Sequence, residues 1–212
     1  MCPRPYQMAQ RQAAGQKTQE RILESARQLL FSENFSEFTM EAVARAADVS
    51  RLTVYYQFDS KAKLLEALYD YIARRGRMDR LAEIFRDRAD ALVFLHDFVR
   101  VFARFWASDR DVIRRLHGLG AIDGEIGKGL RARNERRRKG LDVVLTRYEQ
   151  MYVPRGRFDR PIALDTLHMI TSFETFDALA MPGRSFDEVV EMLIRMANHA
   201  VGFTRKFVPA RY

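Results

Sequence analysis

An all-α protein in two parts is predicted by three observations. Apolar residues recur at three- to four-residue spacing through most of the chain, no run alternates apolar and polar residues with hairpin signals, and the texture changes beyond Arg75-Gly76. Ile22, Leu23, Ala26, Leu29 and Leu30 share one helical face, and Phe35 and Phe38 follow a break near Glu33-Asn34. Thr39 then supplies an N-cap hydroxyl, with Glu41 in the first turn, for a helix that ends at Ala47-Asp48-Val49. Ser50 caps a very short helix, Arg51 to Phe58. Asp59-Ser60 opens a longer one that carries Leu64, Leu65, Leu68, Tyr69 and Ile72 on one side, to Arg75. Three short helices and a longer one in about 60 residues make a small unit with its own core.

The second part reads differently. Ala89 to Trp106 is apolar almost all round, as expected of a helix surrounded by others. Five of the 11 glycines fall between Gly118 and Gly129, which predicts a connection there. A long helix follows to Val153 and stops at Pro154-Arg155-Gly156. Asp159 or Arg160 before Pro161 starts another, running to Met181 and ending at Pro182-Gly183. Ser185 with Glu188 is a capping box for the last helix, expected to reach about Phe207.

Composition narrows the function. The chain has 212 residues, 47% apolar and 30% charged, with a formal net charge of +8. That is a globular composition, not a disordered one, with material for a sizeable core. Its apolar stretches are broken by charge short of the ~20 residues a membrane span needs. Met1 to Gln10 has no apolar secretory region. The single cysteine, Cys2, excludes an intramolecular disulfide and a Cys-based metal cluster. A soluble, cytoplasmic protein is expected.

The pI near 9.9 invites a polyanionic partner, but the charge is unevenly placed. Residues 1–75 hold 11 basic and 9 acidic side chains, so most of the excess lies beyond them. Lys128, Arg131, Arg133, Arg136, Arg137, Arg138 and Lys139, against Glu135, account for that excess. Such a run is ordinarily a solvated helix face; the alternative is a second contact with phosphate.

No catalytic group assembles. Ser60-Lys61-Ala62-Lys63 fits Ser-x-x-Lys, but an N-cap serine explains it and the partner motifs are absent. The glycines from Gly118 to Gly129 have neither dinucleotide-loop nor phosphate-loop spacing. The four histidines, His96, His117, His168 and His199, are scattered without metal-ligand spacing. No cofactor, no metal and no enzymatic activity are expected.

Residues 39–58 read as a helix-turn-helix. Val43, Ala44 and Ala47 turn inward, and small residues there let the second helix approach closely. Val49 and Val54 fill the angle, and Phe58 anchors the far end. Ser50, Arg51, Leu52, Thr53, Tyr55, Tyr56 and Gln57 remain outward, at the end of a short helix that enters a major groove in such motifs. Arg51 suits guanine O6/N7, and Leu52 or Thr53 a thymine methyl. Ser50, Tyr55, Tyr56 and Lys61, with the helix N-termini after Thr39 and Ser60, suit phosphates.

The segment resembles the DNA-binding domain of the tetracycline-repressor (TetR) family of transcriptional regulators. The likeness rests on Thr39, Val43-Ala44, Val49-Ser50, Thr53, Tyr55, Phe58, Ser60-Lys61 and Leu64-Leu65, with the preceding helix Arg21–Phe31. Leu52 stands where glycine or proline is frequent, and Asp48 where glycine usually makes the turn, which asks Asp48 for a left-handed backbone. The resemblance implies an N-terminal arm (1–16), a DNA-binding domain (17–62) and a helical effector-binding and dimerisation domain (63–212).

It also implies a homodimer on a palindromic operator of double-stranded DNA, whose half-sites lie about 34–36 Å apart. The last two long helices would pair with their copies, through Leu164, Leu167, Ile170, Phe173, Leu179, Val189, Leu193, Met196, Ala200 and Phe203. A small, mostly apolar effector would bind among the middle helices and release the DNA. Candidate lining residues are Phe98, Phe102, Phe105, Trp106, Leu116, His117, Tyr148, Tyr152, Met169, Phe173 and Phe176, with Glu174 and Asp177 for a polar end; a filled core would look the same. The alternative is a helical small-molecule-binding or protein-interaction protein that uses the helix-turn-helix only for packing.

Overall fold

The computed structural model describes residues 4–32, 38–86, 90–152 and 159–202, and the regular elements among them are all helices. In order they are α1 (Arg4–Phe31), α2 (Met40–Ala46), α3 (Arg51–Phe58), α4 (Lys61–Arg75), α5 (Arg80–Arg86), α6 (Ala91–Ser108), α7 (Arg110–Ile122), α8 (Gly124–Tyr152), α9 (Arg160–Ile170), α10 (Phe173–Leu179) and α11 (Phe186–Ala200). They form two compact units. The first is Met1–Ala73 with Asp111–Leu130; the second is Arg74–Arg110 with Arg131–Tyr212. The protein is all-α.

In the first unit, apolar faces of five helices meet. Ile22, Leu23, Ala26 and Leu30 of α1 are buried, with Val43 and Ala44 of α2, Val54 and Phe58 of α3, Leu64, Leu65, Leu68 and Ile72 of α4, and Val112, Ile113 and Leu116 of α7. Full burial of side chains of this size stabilises by about 1.5–3 kcal/mol each. Arg115 on α7 donates to the carbonyls of Leu30 and Ser32, serving acceptors at the end of α1 that have no partner within the helix. Glu24 on α1 accepts from Arg27 Nη2 at 2.7 Å and from the Tyr71 hydroxyl of α4 at 3.0 Å.

Three features of this unit differ from expectation. Helix α1 starts at Arg4, so most of the expected N-terminal arm is helical. The unit continues to Ala73 and takes in Asp111–Leu130, where the sequence placed a boundary at residue 62. The connection expected in the glycine-rich stretch is present, but it is a single residue, Asp123, rather than an extended segment. Helix α7 runs through Gly118 and Gly120 to Ile122, Asp123 caps the next helix by accepting from Glu125 N (2.9 Å), and α8 begins at Gly124. A Cβ on Gly120 would meet Leu130 Cδ1 at 2.5 Å, so a side chain there would require Leu130 to move.

The second unit is built around α6, from which Phe94, Leu95, Phe98, Val99, Phe102, Phe105 and Trp106 are buried. Gly140 of α8 lets that helix approach: a Cβ there would lie 3.1 Å from Phe98 Cε2. The helix expected over Pro161–Met181 is broken at Thr171-Ser172. Ser172 accepts from Thr175 N and so starts α10, while the Trp106 indole donates to the freed Thr171 carbonyl at 3.0 Å. Asp159 caps α9 ahead of Pro161, and Ser185 and Glu188 form the capping box of α11. Helix α5 was not foreseen. The expected stops at Pro154-Arg155-Gly156 and Phe207 lie outside the described residues.

Arg27 above all holds the Glu24 carboxyl well below its ordinary value, at about 2. A depressed folded value means stability present above about pH 4.5 and lost as the pH falls toward 2. The two side chains are only partly exposed, Arg27 19% and Glu24 31%, and with the screening that remains the loss is expected to be on the order of 1 kcal/mol. Chemical denaturation from pH 6 to pH 2.5 should show Glu24→Gln removing part of the acid slope. An unchanged slope would contradict this role.

Candidate nucleic-acid interface

Presentation of α3 begins at the turn before it. At the end of α2, Val49 N donates to Ala44 O at 3.0 Å and Asp48 N to Arg45 O at 3.2 Å, the two bonds of a Schellman ending. Such an ending needs one residue in the left-handed region, and Asp48 supplies it at φ 50°. Ser50, extended at φ −69° and ψ 151°, then caps α3: its Oγ accepts from Thr53 N at 3.0 Å. A second residue of positive φ, Asp59 at φ 59° and ψ −48°, ends α3 where the sequence showed only a break. Ser60 caps α4 by accepting from Lys63 N at 3.2 Å.

Val54 (0% exposed) and Phe58 (4%) fasten α3 to the core, while Leu52 (78%) and Tyr56 (85%) stand in solvent. An aromatic ring and a leucine this exposed on one eight-residue helix leave apolar surface for a partner. Arg51 lies over the Tyr55 ring, 5.4 Å from its centroid, with Nη2 3.5 Å from the Tyr55 hydroxyl. That hydroxyl raises the affinity of the guanidinium for its proton. Stacking orders the Arg51 side chain without neutralising it, so its charge stays available to an acceptor.

The hydroxyls are partly committed. Ser50 Oγ and Thr53 Oγ1 are 2.8 Å apart, so the Thr53 hydroxyl is engaged with the cap of its own helix. Thr39 Oγ1 accepts from Ala42 N at 3.0 Å, and a hydroxyl that accepts a cap bond still has a proton to donate. Lys61 lies 5.4 Å from the Phe38 ring centroid, at the start of α4. Thr39, Ser50, Arg51, Leu52, Thr53, Tyr55, Tyr56 and Lys61 therefore fall on α3 or at the starts of α2 and α4.

The effector candidates are less unified. Phe98, Phe102, Phe105, Trp106 and Phe173 form a ring-to-ring series, with centroid separations of 4.9 Å (Phe98–Phe102), 4.6 Å (Phe105–Trp106) and 5.6 Å (Trp106–Phe173). Phe176 is buried too. Tyr148 is buried and stacks on Tyr152, which is exposed and donates its hydroxyl to Asp90. Met169 is 57% exposed, Asp177 pairs with Arg110 at 2.5 Å, and Glu174 is exposed. His117 and Leu116 belong to the other unit. His96 Nε2 bonds Asn198 at 2.7 Å, tying α6 to α11.

The basic run on α8 divides. Lys128, Arg131, Arg136 and Lys139 are exposed, but Arg138 pairs with Asp165 at 2.6 Å. Arg137 is buried, its Nη2 donates to His168 Nε2 at 3.0 Å, and its guanidinium carbon lies 5.8 Å from the Phe102 ring centroid. Burial, then the charge of Arg137, lowers the His168 value and favours the neutral, accepting imidazole.

Comparison with known proteins agrees with the geometry. Residues 22–68 match the family described as bacterial regulatory proteins, tetR family. The HTH-type transcriptional regulator AlkX of Mycobacterium tuberculosis is 35% identical over 107 residues, 48% of this chain. That match spans about half (48%) of the relative's own length. Among solved structures, a regulator from Saccharomonospora viridis in complex with choline has a TM-score of 0.69 at 18% identity, covering 87% of this chain and 97% of that one. NalD of Pseudomonas aeruginosa, the secondary repressor of the MexAB-OprM multidrug efflux pump, has a TM-score of 0.64 at 20% identity, covering 88% and 96%. At these identities the likeness is one of fold.

Because Asp48 occupies a left-handed position, Asp48→Gly is expected to stabilise the protein by about 0.5–1 kcal/mol. Ser50→Ala is expected to cost about 1 kcal/mol, through loss of the α3 cap. Thermal or denaturant unfolding of both variants checks this; a destabilised Asp48→Gly would contradict the turn assignment.

Proposed function

We propose, from the match of residues 22–68 to the family described as bacterial regulatory proteins, tetR family, a ligand-responsive repressor that binds a palindromic operator as a homodimer. One observation carries the reading. Helix α3 is anchored by Val54 and Phe58 and holds Arg51, Leu52 and Tyr56 outward, with capped helix starts beside it at Thr39 and Ser60. Arg51 offers a fork of donors to a guanine edge, and Leu52 and the Thr53 methyl offer apolar contact to thymine. Tyr56, Lys61 and the α2 and α4 N-termini hold phosphates and set the register.

A second copy is the expected partner of the second unit. Leu167, Ile170, Phe173, Val189 and Leu193 are spent on the intrachain core. Ile162 and Met169 on α9 and Met196 on α11 are exposed instead, on helices that pack together. Of the residues chosen by periodicity, Met196 is exposed and Leu164, Leu179 and Ala200 are half-buried, so these, with Ile162 and Met169, are the side chains that support pairing. Phe203 lies outside the described residues.

Repression and release are supported by the relatives: NalD is a repressor, and the Saccharomonospora viridis regulator was crystallised with choline. The aromatic series from Phe98 to Phe173 suits a mostly apolar effector, which must part packed rings to enter. Helices α4 and α8 are each continuous across the boundary between the units, so an altered second unit has covalent levers on the first. Reversing a 1:99 balance between DNA-competent and released forms takes a differential affinity of about 5.5 kcal/mol.

The test is binding to operator fragments. Arg51→Ala is expected to cost about 1–3 kcal/mol at one base position per half-site and to relax preference there. Tyr56→Phe should weaken binding equally across sequences if its hydroxyl meets phosphate. Wild-type protein that binds all duplexes equally, or an Arg51→Ala protein with unchanged affinity and preference, would overturn the reading.

A further inference from the structure

We propose that the second unit carries a separate site for a small phosphate or phosphate monoester, in the cleft between the Gly76–Ile84 segment and the outer side of α6. The cleft has a volume of about 230 Å³. Four arginines line it, Arg77 and Arg80 from one wall and Arg100 and Arg104 from the other, and Ile84 and Val101 line it too. None of these residues belongs to the aromatic series, and none lies on the helix-turn-helix.

The charges are not balanced. Arg100 is paired with Asp97 at 2.9 Å and Arg77 with Asp79 at 3.2 Å. Glu83 also lines the cleft, so these four cations face three carboxylates. Among the described residues, Arg80 and Arg104 have no carboxylate within ion-pair distance. Like charges gathered in a concavity focus a positive potential, which an anion relieves.

Shape selects the anion. The space corresponds to roughly eight water molecules, below the roughly 300 Å³ at which pockets for drug-sized ligands begin. A tetrahedral phosphate presents oxygens to guanidinium forks from two walls at once, whereas a lone carboxylate serves one fork well. Ile84 and Val101 give a short ester substituent an apolar surface.

The walls are held in place. Gly76 is buried, and a Cβ there would lie 2.9 Å from Phe105 Cδ2 and from Ser108 Oγ, so this wall sits tightly on α6. Arg77 has φ 60°, in the left-handed region that residues with a Cβ disfavour. The segment is thus bent so that Arg77 and Arg80 face α6, and an anion bridging the walls fastens to it the segment that follows α4.

The experiment is calorimetric titration of the full chain with methyl phosphate at constant ionic strength. One saturable site per chain is expected. Arg80→Ala and Arg104→Ala should each weaken it about tenfold or more, as loss of a charge-assisted bond does. Arg195→Ala, which removes an exposed cation on α11 paired with Glu191, should leave it unchanged. Circular dichroism confirms that each variant is folded. An absent or non-saturable heat, undiminished binding in both cleft variants, or equal weakening in Arg195→Ala would overturn the site. Operator binding is not needed for any of these readouts, so the site and the regulatory reading fail separately.

Discussion

Anchoring one side of α3 while leaving the other bare is the constraint on which the first unit depends. An eight-residue helix is too short to be stable alone. It exists here because Val54 and Phe58 are buried, Ser50 serves an amide at its start, and Asp48 accepts a left-handed backbone that turns the chain out of α2. Each device acts at the edge or on the inner face. The outer face is therefore free of structural duty, and Arg51, Leu52 and Tyr56 are available for recognition. On the proposed reading, the same separation lets base preference vary without disturbing the fold.

The second unit solves a different problem. It buries large rings along α6 and must still serve the backbone groups exposed where helices break. The Trp106 indole does both, packing against Phe105 and Phe173 while donating to the Thr171 carbonyl at the α9–α10 break. Arg137 brings a charge into this interior against Phe102 and His168. On the proposed reading, an effector enters by rearranging rings that already touch. Linked to such a rearrangement, α4 and α8 are the continuous paths toward the helix-turn-helix.

Much of the first unit was legible in the sequence because its signals are local. Thr39, Ser50 and Ser60 cap helices by contacts three residues ahead, and the left-handed Asp48 follows from the spacing of α2 and α3. The second unit was less legible because its decisive signals are long-range. The break at Thr171-Ser172 needs Trp106, 65 residues earlier, and Gly120 lies within α7 beside Leu130 of α8 rather than in a turn. Periodicity marked the apolar residues of α9 and α11 but not which of them face inward: Leu167 and Leu193 are buried, whereas Ile162 and Met169 are exposed. Among the recognition candidates, the sequence identified the residue types on α3; only coordinates showed Arg51 stacked on Tyr55 and the Thr53 hydroxyl drawn back to Ser50.

Selection of duplexes from a random pool by the full-length protein tests the central claim most directly. If α3 reads a major groove and two copies act together, the enriched pool should contain an inverted repeat whose half-sites are centred about one helical turn apart, or a multiple of it. A pool that remains random through successive rounds, or one enriched only in single, unpaired half-sites, would contradict the account.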